Sequence, residues 1–215
     1  MSVIAPQAQT ASWVAERLRE DISRGRLLPG VKLAEQQLAT QLQVSRNTLR
    51  EAFTTLDGEG MVERFPNRGV FVKRPTAADI REIYRVRRMV EPAAVLWGEV
   101  PDDALDRMGA IVTEAARARA AGQVPAMAAA NEALHREVVG LTQSATLLEA
   151  MERVMLQTRL VFFTMASVPD FHTHYVDGNL NLVRRLRAGE RAEAAQELRA
   201  YLETAEAELL GHLGD

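Results

Sequence analysis

The sequence predicts a mainly α-helical protein with an N-terminal winged helix-turn-helix, which carries a small β-hairpin, and a C-terminal all-α antiparallel helical bundle. Apolar residues recur at helical spacing up to about residue 57 and again from 77 to the end, and only 61–74 shows the shorter period of strands. The balance of basic and acidic residues also changes near this point. Residues 1–76 carry 11 Lys and Arg against 8 Asp and Glu, whereas 77–215 carry 15 against 21. We therefore predict two domains, 8–75 and 76–215.

The N-terminal part divides into three helices and a hairpin. The predicted helices cover 12–24, 34–42 and 45–57, and the third has a core stripe at the i, i+3, i+4 and i+7 positions Leu49, Ala52, Phe53 and Leu56. Ser45 precedes that helix and suits its N-cap. The hairpin is predicted over 61–74, because Pro66-Asn67 favours a turn and Gly69 tolerates a positive φ. Thr76 is predicted to cap the helix that follows.

The third helix points a polar face away from its core. Arg46, Asn47 and Arg50 lie on that face. Arg donates two hydrogen bonds to guanine and Asn pairs with adenine, so the face is typical of a helix that reads the major groove of double-stranded DNA. Four cations of the hairpin are predicted to contact phosphates: Arg64, Arg68, Lys73 and Arg74. The alternative is that Arg46 and Arg50 are solvated or paired with nearby acids.

The segment "GRLLPGVKLAEQQLATQLQVSRNTLREAFTTLDGEGMVERFPNRGVFV" resembles the DNA-binding domain of GntR-type bacterial transcription regulators over about 10–74. The resemblance implies that the wing tip, Arg68-Gly69, enters the minor groove. It implies recognition-helix contacts from Ser45, Arg46, Asn47, Thr48 and Arg50. Two positions depart from the family: Gln36, where relatives often have Arg, and Gln43, where they usually have Gly. A left-handed Gln43 costs roughly 1 kcal/mol relative to Gly.

The C-terminal part is predicted to contain helices at 77–98, 102–120, 124–140, 144–168, 172–188 and 190–212. Six polar residues fall on their apolar stripes: Arg87, Asn131, His135, Arg159, Asn179 and Tyr201. Buried polar groups are costly unless they meet one another, water or a ligand. One interpretation is a buried network, with an Arg87–Glu91 pair and Tyr201 bonded to an Asn. The other is a polar cavity, in which two arginines favour a small carboxylate effector.

The segment "IREIYRVRRMVEPAAV" and the helices after it resemble the FCD-type effector domain of the FadR subgroup of GntR regulators over about 77–212. Many such domains hold a divalent metal with one Asp and three His. The corresponding positions here are Asn131, His135, Asn179 and Tyr201. Because three of the four ligands are replaced, we predict no tight metal site and no cofactor. The alternative is that His172 and His174 supply the missing ligands.

These observations predict a DNA-binding transcriptional regulator that binds a palindromic operator as a homodimer, since one helix-turn-helix reads only a half-site. The resemblance favours a repressor released by a small organic acid. A regulator without an effector is the alternative, and an enzyme that uses the C-terminal pocket is a further one. No Ser or Cys nucleophile beside a base, carboxylate dyad or phosphate loop is recognisable, so we expect no catalytic residues. The chain has no Cys, no signal-peptide pattern and no apolar stretch of membrane-spanning length, so we expect a cytoplasmic protein without a membrane partner.

Overall fold

The structure is a computed structural model that describes residues 6–165, 168 and 170–213. Its elements are α1 (Pro6–Ser23), β1 (Lys32–Leu33), α2 (Glu35–Leu42), α3 (Arg46–Gly58), β2 (Val62–Phe65), β3 (Gly69–Val72), α4 (Ala77–Trp97), α5 (Asp102–Ala120), α6 (Val124–Gly140), α7 (Ala145–Thr164), α8 (Asp170–Arg187) and α9 (Arg191–Leu213). The predicted fold class, a winged helix-turn-helix followed by a helical domain, is confirmed. The described residues form two compact units. One contains residues up to Pro75 together with Arg159–Thr164, and the other contains the rest.

The N-terminal unit is built on the packing of α1 against α3. Val14, Leu18 and Ile22 of α1 are buried, as is the predicted apolar stripe of α3. The sheet beside these helices has the antiparallel order β1-β3-β2, with Val62 paired to Val72 and Phe65 to Gly69. The hairpin is therefore confirmed. Strand β1 was not predicted, because two residues carry no period and pair with β3 only in the folded chain.

Two turns of the N-terminal unit depend on left-handed backbone at residues other than glycine. Gln43 ends α2 with φ 55°, and its N–H bonds to the carbonyls of Ala39 and Thr40, so the tight turn before α3 forms without glycine. Asn67 in the hairpin has φ 59°, and Gly69 follows with φ 101°. Asn is among the residues that tolerate this region best. The turn chemistry expected at Pro66-Asn67 and Gly69 is therefore present.

All the secondary-structure elements of the C-terminal unit in the described residues are helices. Helix α4 packs against α6 and α9, α5 packs against α6 and α8, and α8 packs against α6 and α9. Thr76 and Asp79 form a capping box at the start of α4, which confirms the cap predicted at Thr76. No helix among these residues is long and apolar enough to cross a membrane.

The helix ends around residue 168 differ from the prediction. Helix α7 ends at Thr164, although the apolar pattern predicted it to 168, and α8 begins at Asp170 instead of 172. Val168 is not helical. It precedes a proline, and the α region is sterically disfavoured for the residue before a proline. Residues 166 and 167 of the predicted helix, and residue 169 after it, lie outside the described residues.

Candidate functional site

The exposed side of α3 carries the three residues that we call the recognition face: Arg46, Asn47 and Arg50. All three side chains are exposed, because Leu49, Ala52 and Phe53 turn into the core. Ser45 caps the helix, its Oγ accepting a hydrogen bond of 3.0 Å from the Thr48 backbone N–H. This cap fixes the first turn of α3, which is the part of a recognition helix that meets base edges.

Glu35 holds both arginines of the recognition face. Its Oε1 accepts from Arg46 Nε at 2.8 Å and lies 3.0 Å from Arg50 Nε. Burial opposes ionisation, but the hydrogen bonds from Arg46 and Arg50 lower the pKa of Glu35 below its usual value. The two guanidinium groups are therefore placed side by side, one helical turn apart, by a carboxylate that stays ionised.

Two of the α3 residues expected to contact DNA, Thr48 and Asn47, have hydrogen-bond partners in the helix or at its N-cap. Thr48 is buried, and its hydroxyl lies 2.8 Å from the hydroxyl of Ser45. Asn47 Nδ2 donates to Glu51 Oε1 at 2.9 Å. Thr48 therefore supports the start of the helix from below, whereas Asn47 and Ser45 remain on the exposed side.

The hairpin tip combines aromatic rings with cations. Phe65 and Phe71 meet edge to face at 5.6 Å, and the Arg68 guanidinium lies 5.3 Å from the Phe65 ring centre. Arg68 and Gly69 are exposed at the tip, whereas Lys73, at the base of the hairpin, is half-buried. Stacking limits the freedom of Arg68, so the cation is presented with less loss of entropy on binding.

Five of the six predicted effector residues come together in the C-terminal unit, joined by a carboxylate from α4. We call this set of six the buried polar cluster: Arg87, Glu91, Asn131, His135, Asn179 and Tyr201. Arg87 Nε donates to Glu91 Oε1 at 2.7 Å, and His135 Nδ1 lies 2.6 Å from Glu91 Oε2. Arg87, Glu91 and His135 are buried almost completely.

The second half of the cluster joins α6, α8 and α9. The Asn131 Oδ1 accepts from Asn179 Nδ2 and from Tyr201 Oη, both at 2.8 Å. The Tyr201 hydroxyl also lies 3.4 Å from His135 Nε2, which connects the two halves. Most of these groups satisfy one another, as in the buried-network interpretation.

Burial sets the protonation of the cluster. Burial works against ionisation of Glu91, yet the charge of Arg87 and the contact with His135 lower the pKa of Glu91 to about 2. Burial lowers the pKa of His135, which favours a neutral ring that donates from Nδ1 to Glu91. Burial also raises the pKa of Tyr201, so its phenol stays protonated. The cluster therefore holds one cation and one carboxylate among neutral groups.

Two buried atoms of the cluster lack a hydrogen-bond partner among the described residues: Arg87 Nη2 and Asn179 Oδ1. Asn179 and Tyr201 line a crevice of about 60 Å³, together with Gly178, Asn181, Leu182, Glu197 and Leu198. This volume is small beside the roughly 300–1,000 Å³ of typical ligand pockets. The cluster thus keeps one donor and one acceptor without a partner among the described residues, and of the two residues only Asn179 lines the crevice.

The sixth predicted residue, Arg159, lies elsewhere. It belongs to the N-terminal unit, where its Nε donates to the Ser23 carbonyl at 2.9 Å and its guanidinium lies 5.3 Å from the Phe163 ring centre. The helical stripe of α7 places it on an inward face, but periodicity does not indicate which unit that part of the helix joins.

The four positions that the resemblance to FCD domains identifies with metal ligands do converge here, but their donors do not suit a metal. Asn131 Oδ1 already accepts two hydrogen bonds, and Asn179 presents an amide nitrogen to it. Tyr201 keeps its proton, since burial raises the pKa of its phenol. No three His, Cys, Asp or Glu side chains of the described residues are grouped so that they would hold a metal ion.

Sequence reasoning did not name Glu35 as a functional residue, and it treated Glu91 only as the partner of Arg87. Glu35 lies eleven residues before Arg46, so no local spacing connects them. The sequence does indicate a role for Glu91, because a carboxylate on an apolar stripe needs cations or hydrogen-bond donors around it.

Comparisons with known proteins identify the chain. Residues 10–72 match the bacterial regulatory proteins of the gntR family, and residues 82–204 match the FCD domain. The chain belongs to the GntR family of transcription regulators, in the group with an FCD domain. It therefore has a GntR DNA-binding domain and an FCD effector domain.

Individual relatives agree. An uncharacterised HTH-type transcriptional regulator of Agrobacterium vitis is 33% identical over 116 residues, which cover 52% of this chain and 68% of that protein. The Nta operon transcriptional regulator of Aminobacter aminovorans is 31% identical over 134 residues, 61% of this chain and 63% of its own length. A solved GntR transcriptional regulator from Rhodococcus sp. RHA1 is 37% identical and superposes with a TM-score of 0.88 over 94% of this chain and 97% of that one.

The comparisons confirm the predicted family and the prediction that the chain is no enzyme, because the matching families and relatives are transcription regulators. The individual contact residues stay predictions. Substitutions in the recognition face and in the buried polar cluster can test those predictions.

Proposed function

We propose that this chain is a repressor that binds a palindromic operator as a homodimer and is released by a small organic acid bound at the buried polar cluster. The operator and the dimer share two-fold symmetry in this proposal, because the helix-turn-helix of each chain reads one half-site. The proposal includes a cytoplasmic location, where the operator lies, and no membrane partner.

The incomplete hydrogen bonding of the buried polar cluster is the observation that carries the proposal. Arg87 Nη2 is a charged donor and Asn179 Oδ1 an acceptor, and both are buried without partners among the described residues. A carboxylate accepts from arginine, and a protonated or hydroxylated acid donates to an amide oxygen. A small hydroxy acid or a protonated dicarboxylic acid has both groups.

Binding such an acid requires Tyr201 to move, because the adjacent crevice holds only about 60 Å³. The Tyr201 hydroxyl bonds to Asn131 and lies near His135, so its displacement breaks the link between α9 and α6. A ligand shifts an equilibrium only if it binds the two arrangements unequally. We assign release from DNA to the arrangement in which Tyr201 is displaced.

We also propose that this response needs no tightly bound divalent metal. The donors of Asn131, Asn179 and Tyr201 are neutral and already hydrogen-bonded to one another. The hydrogen bonds of Tyr201 then hold the helices that a metal holds in many relatives.

The test is operator affinity in the presence of acids. An operator is selected from a random pool of duplexes, and its affinity is measured by fluorescence anisotropy with a panel of hydroxy, keto and dicarboxylic acids, with and without EDTA. We expect one chemical class to weaken binding about tenfold or more, which corresponds to about 1.4 kcal/mol of coupling, with or without EDTA. Loss of the effect in EDTA would refute the metal-free proposal.

The second candidate is a regulator with no small-molecule effector, which the near-closed hydrogen bonding of the cluster favours. In that case no acid changes either operator affinity or the melting temperature. The acid panel therefore separates the two candidates. Asn179→Ala tests the first one further, because it removes one proposed effector group and should abolish the acid response of the wild type.

A further inference from the structure

Strand β1 brings a lysine to the tip of the hairpin, which is the wing of the winged helix-turn-helix. Lys32 lies opposite Phe71 of β3, and its ammonium is 5.8 Å from the centre of the Phe71 ring. The Cε of Lys32 is 3.3 Å from the position that a Cβ would take at Gly69, so the side chain runs along the sheet towards the tip. Lys32 is exposed. The wing tip therefore carries a cation that comes from outside the hairpin.

Two cations share the ring of Phe71. The Arg68 guanidinium lies 5.9 Å from the centre of that ring, almost the same distance as the Lys32 ammonium. The face of an aromatic ring attracts a cation within about 6 Å of its centre. Phe71 therefore keeps two like charges close together at an exposed tip, an arrangement that suits a partner with closely spaced negative charges.

The two wing-tip cations are not neutralised within the protein. No carboxylate of the described residues forms an ion pair with Lys32 or Arg68. Glu63 of β2 lies opposite Phe71 on the other side of β3, so Phe71 separates Lys32 from that carboxylate. The arginines of the recognition face differ, since both are paired with a glutamate. The wing tip is therefore a site of uncompensated positive charge.

We propose that Lys32 is a DNA contact of the wing, its ammonium binding a backbone phosphate at the edge of the minor groove that Arg68 enters. This inference rests on the DNA binding of the proposed function and adds a contact from β1. Lysine binds phosphate as a point charge, without the planar geometry that arginine requires. Phosphate contacts fix the orientation of a protein on the duplex and carry no base information. Lys32 thus holds the wing in place and leaves the choice of bases to the recognition face.

The lysine content of the chain makes this contact directly measurable. Of the 26 Lys and Arg, only Lys32 and Lys73 are lysines. Acetylation of amines, followed by mass spectrometry, gives the reaction rate of Lys32 in the free protein and in the complex with saturating operator. A lysine peptide added to both samples measures the reagent. We expect the rate at Lys32 to fall severalfold in the complex, and an unchanged rate would overturn the contact.

Lys32→Met isolates the charge, because methionine keeps an unbranched apolar side chain over Phe71. One phosphate contact contributes about 0.9 to the slope of log affinity against log salt, so the variant should lose about eightfold in affinity at 0.1 M salt relative to 1 M salt. Fluorescence anisotropy should show the same loss with the operator and with a scrambled duplex. Lys32→Arg keeps the charge and should keep the slope of the wild type.

Arg17→Met is the matched control for the loss of one positive charge. Arg17 lies on α1, its side chain is 51% exposed, and it is already paired with Glu20. Its salt slope should equal that of the wild type. An equal change of slope in Arg17→Met and Lys32→Met would overturn the contact, because net charge would then explain both.

The outcomes separate this inference from the proposed function. A wild-type chain that binds no duplex of a random pool would refute the proposed function itself. A Lys32→Met chain with the wild-type slope overturns the contact, even if operator affinity falls, because the loss then comes from the shape of the wing. A loss confined to the operator also overturns it, since Lys32 would then read a base. Protection of Lys32 from acetylation, together with a smaller slope for Lys32→Met alone, establishes the contact.

Discussion

The recognition face and the buried polar cluster both depend on arginines held by a glutamate, but in opposite surroundings. The Arg46 and Arg50 side chains share Glu35 and are 57% and 59% exposed, whereas those of Arg87 and Glu91 are 1% and 0% exposed. An exposed pair contributes little and separates easily. A buried pair cannot separate without leaving a desolvated charge. The same pairing therefore holds Arg46 and Arg50 weakly at the surface of one unit and Arg87 firmly in the interior of the other.

The largest expected effect is on the buried pair. Glu91→Gln keeps the shape of the side chain but leaves Arg87 charged and uncompensated, so we expect a loss of about 3–5 kcal/mol in the free energy of unfolding, measured in urea. Glu203→Gln is the matched control, because Arg199 and Glu203 form an exposed pair with the same i, i+4 spacing at 3.1 Å. The control should lose less than about 0.5 kcal/mol. Equal losses in the two variants would show that burial of the pair does not determine its energy.

The next effect tests whether hydrogen bonds have taken the place of a metal in the cluster. The triple variant Asn131→Asp, Asn179→His and Tyr201→His introduces one carboxylate and two imidazoles, which together with His135 make a set of one Asp and three His. With Zn²⁺ at a hundred times its dissociation constant, we expect about 2.7 kcal/mol of stabilisation, or about 5–10 °C in melting temperature.

The wild type and the triple variant with His135→Ala added are the controls for that experiment. Neither should gain stability beyond about 1 °C from Zn²⁺, and EDTA should reverse the gain of the triple variant. Stabilisation of the wild type by the same amount would refute the metal-free proposal.

A third effect concerns the exposed arginines. Arg46→Ala and Arg50→Ala should each cost about 1–3 kcal/mol in operator affinity and relax base preference, because each removes a bidentate donor from the major groove. Stability should change little, since both side chains are exposed. Arg17→Ala removes an arginine of similar exposure, 51%, from α1 and serves as the control in the same anisotropy assay. Retention of full operator affinity by both recognition-face variants would contradict the docking of α3 in the major groove.

The contrast between the two regions also explains what the sequence reveals and what it hides. Local patterns decide the helices, the hairpin and the outward direction of Arg46 and Arg50, because these follow from the apolar stripe of a single helix. The pattern also detects that Arg87 and His135 point inward. It also predicts the Arg87–Glu91 pair, but it does not detect that Glu91 meets His135, since α4 and α6 meet only in the folded bundle. It groups Arg159 with residues of the C-terminal unit, whereas Arg159 belongs to the N-terminal unit. Strand β1 was missed because its pairing with β3 is a tertiary event.

The contacts of Glu35 also form only in the folded chain and cannot be read from local spacing. Substitution of Glu35 gives the smallest of the expected effects. Its carboxylate fixes Arg46 and Arg50 in the free protein at 2.8 and 3.0 Å. Glu35→Gln should lower the ratio of operator affinity to non-specific affinity about two- to fivefold, because an exposed pair is worth about 0.2–1 kcal/mol. Non-specific affinity itself should hold or rise, since a negative charge near phosphates is lost. Anisotropy with the operator and with a scrambled duplex gives the ratio. Glu16→Gln removes the same charge from α1 without touching either arginine, so an equal fall in its ratio would show that net charge, and not the placement of the arginines, is what Glu35 contributes.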